Sequence, residues 1–267
     1  MRPFSQLLKI LLKTGFVSIT LLSYQSVAMS RASQPISSQP ISSQKIFSQQ
    51  TPENKEFQSP PPPPGTPPDG RVQGGGRRGN CPAVATQLTA IMPSIQSGNF
   101  PVWGYTTQEH PTLWFYVPYT KADGFKTELN LEATKSITVP VTLPNKPGII
   151  GVTVPKTVPA LGIDEQYTWT FSIKCDEISG SKSPVYVKGV VRRINIKPNE
   201  LKKLEAASLE QKVRIYAKNG IWQDTMTALF QLRQKNPRNT SFLRDWEKML
   251  TSIGRADVAK QPLVSIQ

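Results

Sequence analysis

The run HPTLWFYVPY at residues 110–119 constrains the fold more than any other stretch, because neither of its alternating faces is polar. In extended backbone successive side chains point to opposite sides. Leu113, Phe115 and Val117 therefore share one face, and Trp114 and Tyr116 share the other. A strand with two apolar faces must be covered twice. It is expected in the middle of a sheet, with a second sheet against one side and helices or loops against the other.

Other apolar segments also repeat every second residue. Tyr167, Trp169, Phe171, Ile173 and Cys175 alternate with Thr168, Thr170, Ser172 and Lys174, giving a strand with one dry side and one wet side. The same period runs through residues 125–132, 137–143, 150–154 and 185–194, and the last of these carries Lys188, Arg192 and Arg193. Pro118, Pro140 and Pro144 mark strand ends, edges or bulges, since proline has no amide proton to give to a ladder. Short strands punctuated by proline and glycine make the fold class mainly β with α. The expectation is an antiparallel β-sandwich over residues 81–197, followed by a C-terminal helical hairpin plus one further helix.

After Pro198 the apolar period lengthens to that of a helix, and residues 198–256 are expected to pack on the sandwich as an α-helical subdomain. Ser208-Leu209-Glu210-Gln211 fits a capping box; Leu209, Val213 and Tyr216 form a stripe; Asn219-Gly220 supplies a left-handed stop. A second helix over residues 221–235 buries Trp222, Met226, Leu229 and Phe230. The third, over residues 241–253, aligns Phe242, Trp246, Met249, Leu250 and Ile253 before Gly254. The first two helices form a hairpin like one tetratricopeptide unit. Residues 257–267 read as a tail.

Residues 1–28 fit a secretory signal peptide: Arg2, Lys9 and Lys13 precede an apolar segment from Gly15 to Leu22, and Ser26-Val27-Ala28 offers small side chains before a cut. An uncleaved N-terminal anchor is the alternative, and the one membrane contact expected. In both cases the protein is exported, to the periplasm or the extracellular space. Residues 29–80 read as a disordered Ser/Gln/Pro/Gly-rich linker, with two SQPIS repeats and a run of prolines at 60–64 that favours a stiff polyproline II spacer. The linker ends in GRVQGGGRRG. It combines Arg71, Arg77 and Arg78 with glycines that expose amide N–H groups, the ingredients of an anion-binding loop or of a plain hinge.

The formal net charge is +14, and removing the three signal-segment cations leaves +11 on the mature chain. An acidic cell-envelope polymer or an acidic protein partner is the natural counter-surface, with Arg71, Arg77, Arg78, Arg192 and Arg193 as the candidate anion contacts. Solubility alone is the bland account of the same charge. Cys81 and Cys175, the two cysteines of the chain, are expected to form a disulfide in an oxidising compartment; two free buried thiols are the alternative.

Four stretches in fixed order carry a resemblance: PPDGRVQGGGRRGNC at 67–81, EHPTLWFYVPY at 109–119, YTWTFSIKC at 167–175 and YAKNGIWQDTMTALFQLRQKNP at 216–237. Together they resemble a cyanobacterial exported family catalogued as domain of unknown function 928. The resemblance runs from Gly70 to Ile253. It implies a secretion signal, a Gly/Arg-rich lead-in, a β-rich body and a helical tail, and it carries no activity or catalytic residue with it. The tyrosine usual in the family after Ile221-Trp222 is Gln223 in this chain.

The chemistry open to the chain is narrow. Common nucleophilic triads need a histidine, and the single one, His110, directly precedes Pro111 at the start of the central strand, where a boundary or capping role is expected. One histidine and two paired cysteines do not complete a zinc tetrahedron, and Asp164-Glu165 and Asp176-Glu177 lack the spacing of a calcium loop. No catalytic residue, metal or cofactor is assigned. The aromatics follow core periodicity and export removes the chain from nucleic acid, so no nucleic-acid partner is expected. The leading expectation is an exported, non-enzymatic binding or scaffolding module. A carbohydrate-active hydrolase is the alternative, with a carboxylate pair drawn from Glu109, Asp123, Asp164, Glu165, Asp176 and Glu177. A third account makes the helical tail a docking site and requires Trp222 to be exposed.

Overall fold

The doubly apolar run forms β3, Thr112–Val117, and every residue of it is buried. The structure, a computed structural model, describes Phe57 and residues 59–74, 81–95, 101–175 and 184–267, apart from the side chains of Ser265 and Ile266. The signal segment, the SQPIS repeats, Arg77, Arg78, Asp176 and Glu177 lie outside the described residues.

Two sheets make the body. One has four strands in the order β1 (Thr89–Ala90), β3, β6 (Gly148–Thr153) and β9 (Leu263–Ile266). The other has five, in the order β2 (Trp103–Thr106), β8 (Val185–Arg193), β7 (Gln166–Lys174), β4 (Lys126–Glu132) and β5 (Ser136–Val141). From one face of β3, Phe115 stacks on Phe171 at 4.3 Å and meets Trp169 edge-on at 5.5 Å. From the other, Trp114 reaches Phe230 at 5.0 Å and Trp246 at 6.1 Å. The strand is thus covered by a sheet on one side and helices on the other. Each large indole lies over a glycine of the adjacent strand. A Cβ at Gly151 would come within 3.1 Å of the Trp114 ring, and one at Gly189 within 2.5 Å of the Trp169 ring.

The fold is mainly β with α and sandwich-like, as the alternation predicts, but both sheets are mixed rather than wholly antiparallel. β2 runs parallel to β8, and β9 parallel to β6, each at a sheet edge. Neither pair is joined by a hairpin. β2 and β8 are separated by the remaining strands of their own sheet, and β9 arrives only after the helices, which is the long connection that parallel pairing requires. Pro140 lies on β5, the other edge of the five-stranded sheet, where a missing amide proton costs no ladder bond.

Five helices follow: α1 (Pro198–Ala206), α2 (Leu209–Lys218), α3 (Trp222–Lys235), α4 (Thr240–Ser252) and α5 (Ala256–Ala259). The capping box forms at α2, where Gln211 N–H donates to the Ser208 hydroxyl at 3.3 Å and Ser208 N–H donates to Gln211 Oε1 at 2.7 Å. Gly220, at φ 69°, turns α2 into α3. Trp222 is fully buried and its indole N–H donates to the Ile91 carbonyl at 2.6 Å, which overturns the account of the helical tail as an open docking face. α1 and α5 were not legible from the apolar period.

Part of the stretch read as linker belongs to the domain. Phe57 is buried, with its ring 4.7 Å from that of Trp222. The Trp103 indole donates to the Pro60 carbonyl at 3.1 Å, and the Tyr105 hydroxyl to the Pro61 carbonyl at 3.2 Å. A polyproline segment makes no internal hydrogen bonds, so its carbonyls are open to such partners. Further on, Arg71 exchanges two backbone hydrogen bonds with Lys188 on β8, at 2.8 and 2.9 Å. Val72 and Gly74 pair with Ala90 and Leu88 beside the other sheet. This strap ties β8 of one sheet to β1, an edge strand of the other. The Cys81–Cys175 disulfide forms, with the Cα atoms 5.1 Å apart, and closes a separation of 94 residues. The stretch read as a tail supplies β9, whose neighbour Gln267 donates its backbone N–H to Gly151 and accepts the Thr142 N–H on its side-chain oxygen at 2.9 Å.

Candidate functional site

Of the arginines singled out as anion contacts, the described three divide between two faces. Arg71 stacks over the Tyr186 ring at 4.6 Å, and its backbone partner Lys188 lies four residues from Arg192 along β8, so all three share one side of the sheet. Acidic neighbours take up much of that charge: Lys188 pairs with Asp69 at 2.7 Å and Arg192 with Asp164 at 3.5 Å. Lys188 holds the Asp69 carboxyl below the usual carboxylate range, chiefly through that hydrogen bond. Arg193 faces the other way and clamps loops, donating to the Leu161 carbonyl at 2.7 Å, the Thr107 carbonyl at 3.4 Å and Glu109 at 3.2 Å.

The carboxylates proposed for hydrolysis are dispersed. Glu109 is held by Arg193 and Asp164 by Arg192. Asp123 accepts the Thr120 N–H at 2.7 Å and closes its own turn. Glu165 accepts the hydroxyl of Tyr167, whose pKa is pushed up by burial first and by that hydrogen bond second. Among the described residues, no two of these acids face each other across a cleft.

A different place gathers polar side chains. Where the C-terminal end of β2 meets α2 and α3, a half-open cleft of about 270 Å³ is lined by Thr106 and His110 from the strand side, Lys212 and Tyr216 from α2, and Gln223 and Asp224 from α3. The local cause is the hairpin. Gly220 reverses the chain, Ile221 and Trp222 anchor the start of α3 in the core, and the next two residues are drawn in with them. Gln223 is 1 % exposed and Asp224 5 %.

Asp224 accepts the Thr107 backbone N–H at 2.9 Å and the Thr107 hydroxyl at 3.3 Å. Burial pushes its carboxyl above the ordinary carboxylate range, against the opposing pull of those hydrogen bonds. Burial, then the nearby Asp224, likewise raises the Tyr216 phenol. Gln223 lies over Gly104 of β2, where a Cβ would come within 2.7 Å of Nε2, so a larger residue there would make the amide shift. Neither Nε2 nor Oε1 of Gln223 has a hydrogen-bond partner, and neither has Nδ1 of His110. Each buried polar group left unpaired costs about 1–3 kcal/mol. Elsewhere the buried orphans include the Trp169 indole N–H and the Thr127 hydroxyl, single atoms that do not line the cleft.

Comparison with known families matches residues 73–263 to the Domain of Unknown Function (DUF928). The chain belongs to that family. No curated protein matches it. The DUF928 match starts at Gln73 and ends at Leu263, so it takes in both walls of the cleft and leaves out the polyproline segment docked on β2.

Chemically the cleft offers neutral donors and acceptors, one lysine and one buried carboxyl. From the sequence, His110 stands at a strand boundary and Gln223 only as a departure from the family's usual tyrosine, and nothing singles out Asp224. An acid in the first turn of a helix is ordinarily explained by the helix dipole. The one available signal was two polar residues directly after a tryptophan on the buried face, which a period count treats as the wet side of the helix.

Proposed function

We propose that this chain is an exported, non-enzymatic binding module of a cyanobacterial cell envelope, holding an anionic polymer on its helical layer. The observation that carries this reading is the distribution of charge. Residues 197–260 contain thirteen Lys and Arg against seven Asp and Glu, a surplus of six, and one of the seven acids, Asp224, is buried away from the surface. Such a surplus of positive charge concentrates a polyanion near the helices and speeds encounter. Arg71 and Arg192 beside Lys188 would add contacts on the sheet, and Arg77 and Arg78 on the lead-in. The disulfide supports an oxidising compartment, where such bridges persist. The hydrolase reading draws no support from the dispersed carboxylates.

The test is binding of the mature chain to an acidic polysaccharide, with neutral dextran as control, across a salt series. Affinity for the acidic polymer should fall by about tenfold or more from low to high salt, because exposed charges are screened. It should also fall in Arg77→Ala plus Arg78→Ala, and no reducing ends should appear. Salt-insensitive binding, or release of reducing ends, would sink the proposal.

A further inference from the structure

We propose that the cleft between β2 and α3 is a binding site for one neutral, polyhydroxylated ring of hexose type, gripped by the Gln223 amide and the His110 imidazole. This goes beyond the polymer reading, because it calls on neutral groups rather than on surface charge and stands or falls independently of it.

Three observations carry it. First, Gln223 presents an unpaired donor and an unpaired acceptor side by side from a residue 1 % exposed, and His110 Nδ1 adds a third unpaired atom. Polar atoms buried in folded proteins are nearly always paired, so three orphaned atoms on two residues that line one cavity call for an external partner. Neighbouring hydroxyls on a ring, each able to donate and to accept, match an amide end for end. Second, the formal charge of the lining is small. Lys212 is the one lysine or arginine among the lining residues, and Asp224 already accepts two hydrogen bonds from Thr107. A doubly charged anion would find one cation, whereas a neutral polyol finds hydroxyls, amides and a phenol. Third, about 270 Å³ lies just below the usual range for drug-sized ligands, so the space suits one ring, and its open side would let a chain continue outward.

The probes are D-glucose, D-galactose, D-mannose and N-acetyl-D-glucosamine at millimolar concentration, with their neutral oligosaccharides as a second arm, followed by saturation-transfer NMR and amide shifts on the mature chain. At least one free sugar should bind saturably, and the oligosaccharide arm tells whether the ring is taken free or as the end of a glycan. Gln223→Met keeps the volume and removes both hydrogen-bonding atoms. It should weaken sugar binding by about tenfold or more, while the thermal midpoint stays level or rises because two buried orphans are gone. A purely structural glutamine would show the opposite, a lower midpoint. If Gln223→Met does not fold, His110→Phe tests the grip from the other wall. Absence of saturable binding to all four sugars and their oligomers overturns the inference, as does undiminished binding in whichever variant folds. Salt-dependent polymer binding is measured on the same samples. Its loss with sugar binding intact would sink the polymer reading alone.

Discussion

The two sides of β3 start from the same strand and end in opposite conditions. Toward the second sheet, Phe115 packs on Phe171 and Trp169, and the region completes itself from apolar surface. Toward the helices, Trp114 is packed just as fully on Phe230, and its indole N–H donates to Thr227 at 3.3 Å, yet beside Thr227 the packing gives way to the polar cleft. The contrast shows why an orphaned polar atom has to be judged by its setting. The unpaired Trp169 indole N–H belongs to a residue that lines no part of the cleft, so it stands as a local packing cost. Gln223 carries its unpaired amide on a residue that lines the cleft. The interior is closed by apolar packing, whereas residues at the cleft keep polar atoms unpaired.

The largest effect should come from the tether on the sandwich side. Cys81→Ala with Cys175→Ala releases a separation of 94 residues, and loop-closure entropy puts the loss at roughly 4–5 kcal/mol. Urea unfolding of the double variant checks this. Neither cysteine lines the cleft, so the native variant should keep the ligand behaviour of wild type. Next, Phe115→Ala should cost about 3–5 kcal/mol in the same assay, since a fully buried ring between two sheets leaves a cavity that cannot close. A loss below 1 kcal/mol would mean that the interior is less tightly made than the contrast requires.

The smallest effect is also the most specific, because it depends on pH. The folded pKa of Asp224 is raised, so its protonated form stabilises the fold fully below the unfolded value of about 3.9. That contribution is lost as pH rises through the folded value. Asp224→Asn has no proton to lose. Its stability should decline less than wild type from pH 4 upward and exceed it once the wild-type carboxyl has ionised. Parallel declines in urea unfolding across that range would place the pH dependence elsewhere.

Much of the architecture was legible before any coordinate. The doubly apolar run had to be central because both faces needed cover. The period-two strands, the Ser208 capping box and the stop at Gly220 are statements about neighbours a few residues apart, and with two cysteines in the chain a disulfide had one possible pairing, Cys81 with Cys175. What composition could not reveal depends on partners far away in the chain. The prolines at 60–64 look the same in a free spacer as when their carbonyls meet Trp103 and Tyr105. The two parallel edge strands answer to long connections rather than to residue pattern. Gln223 and Asp224 carry the side chains of a wet helix face. They become buried only because α3 is pressed onto β2, bringing Asp224 to Thr107 across 117 residues. Periodicity records which side of a segment is oily. Which polar groups are left without water is settled by how segments meet, and it is there that this chain places its cleft.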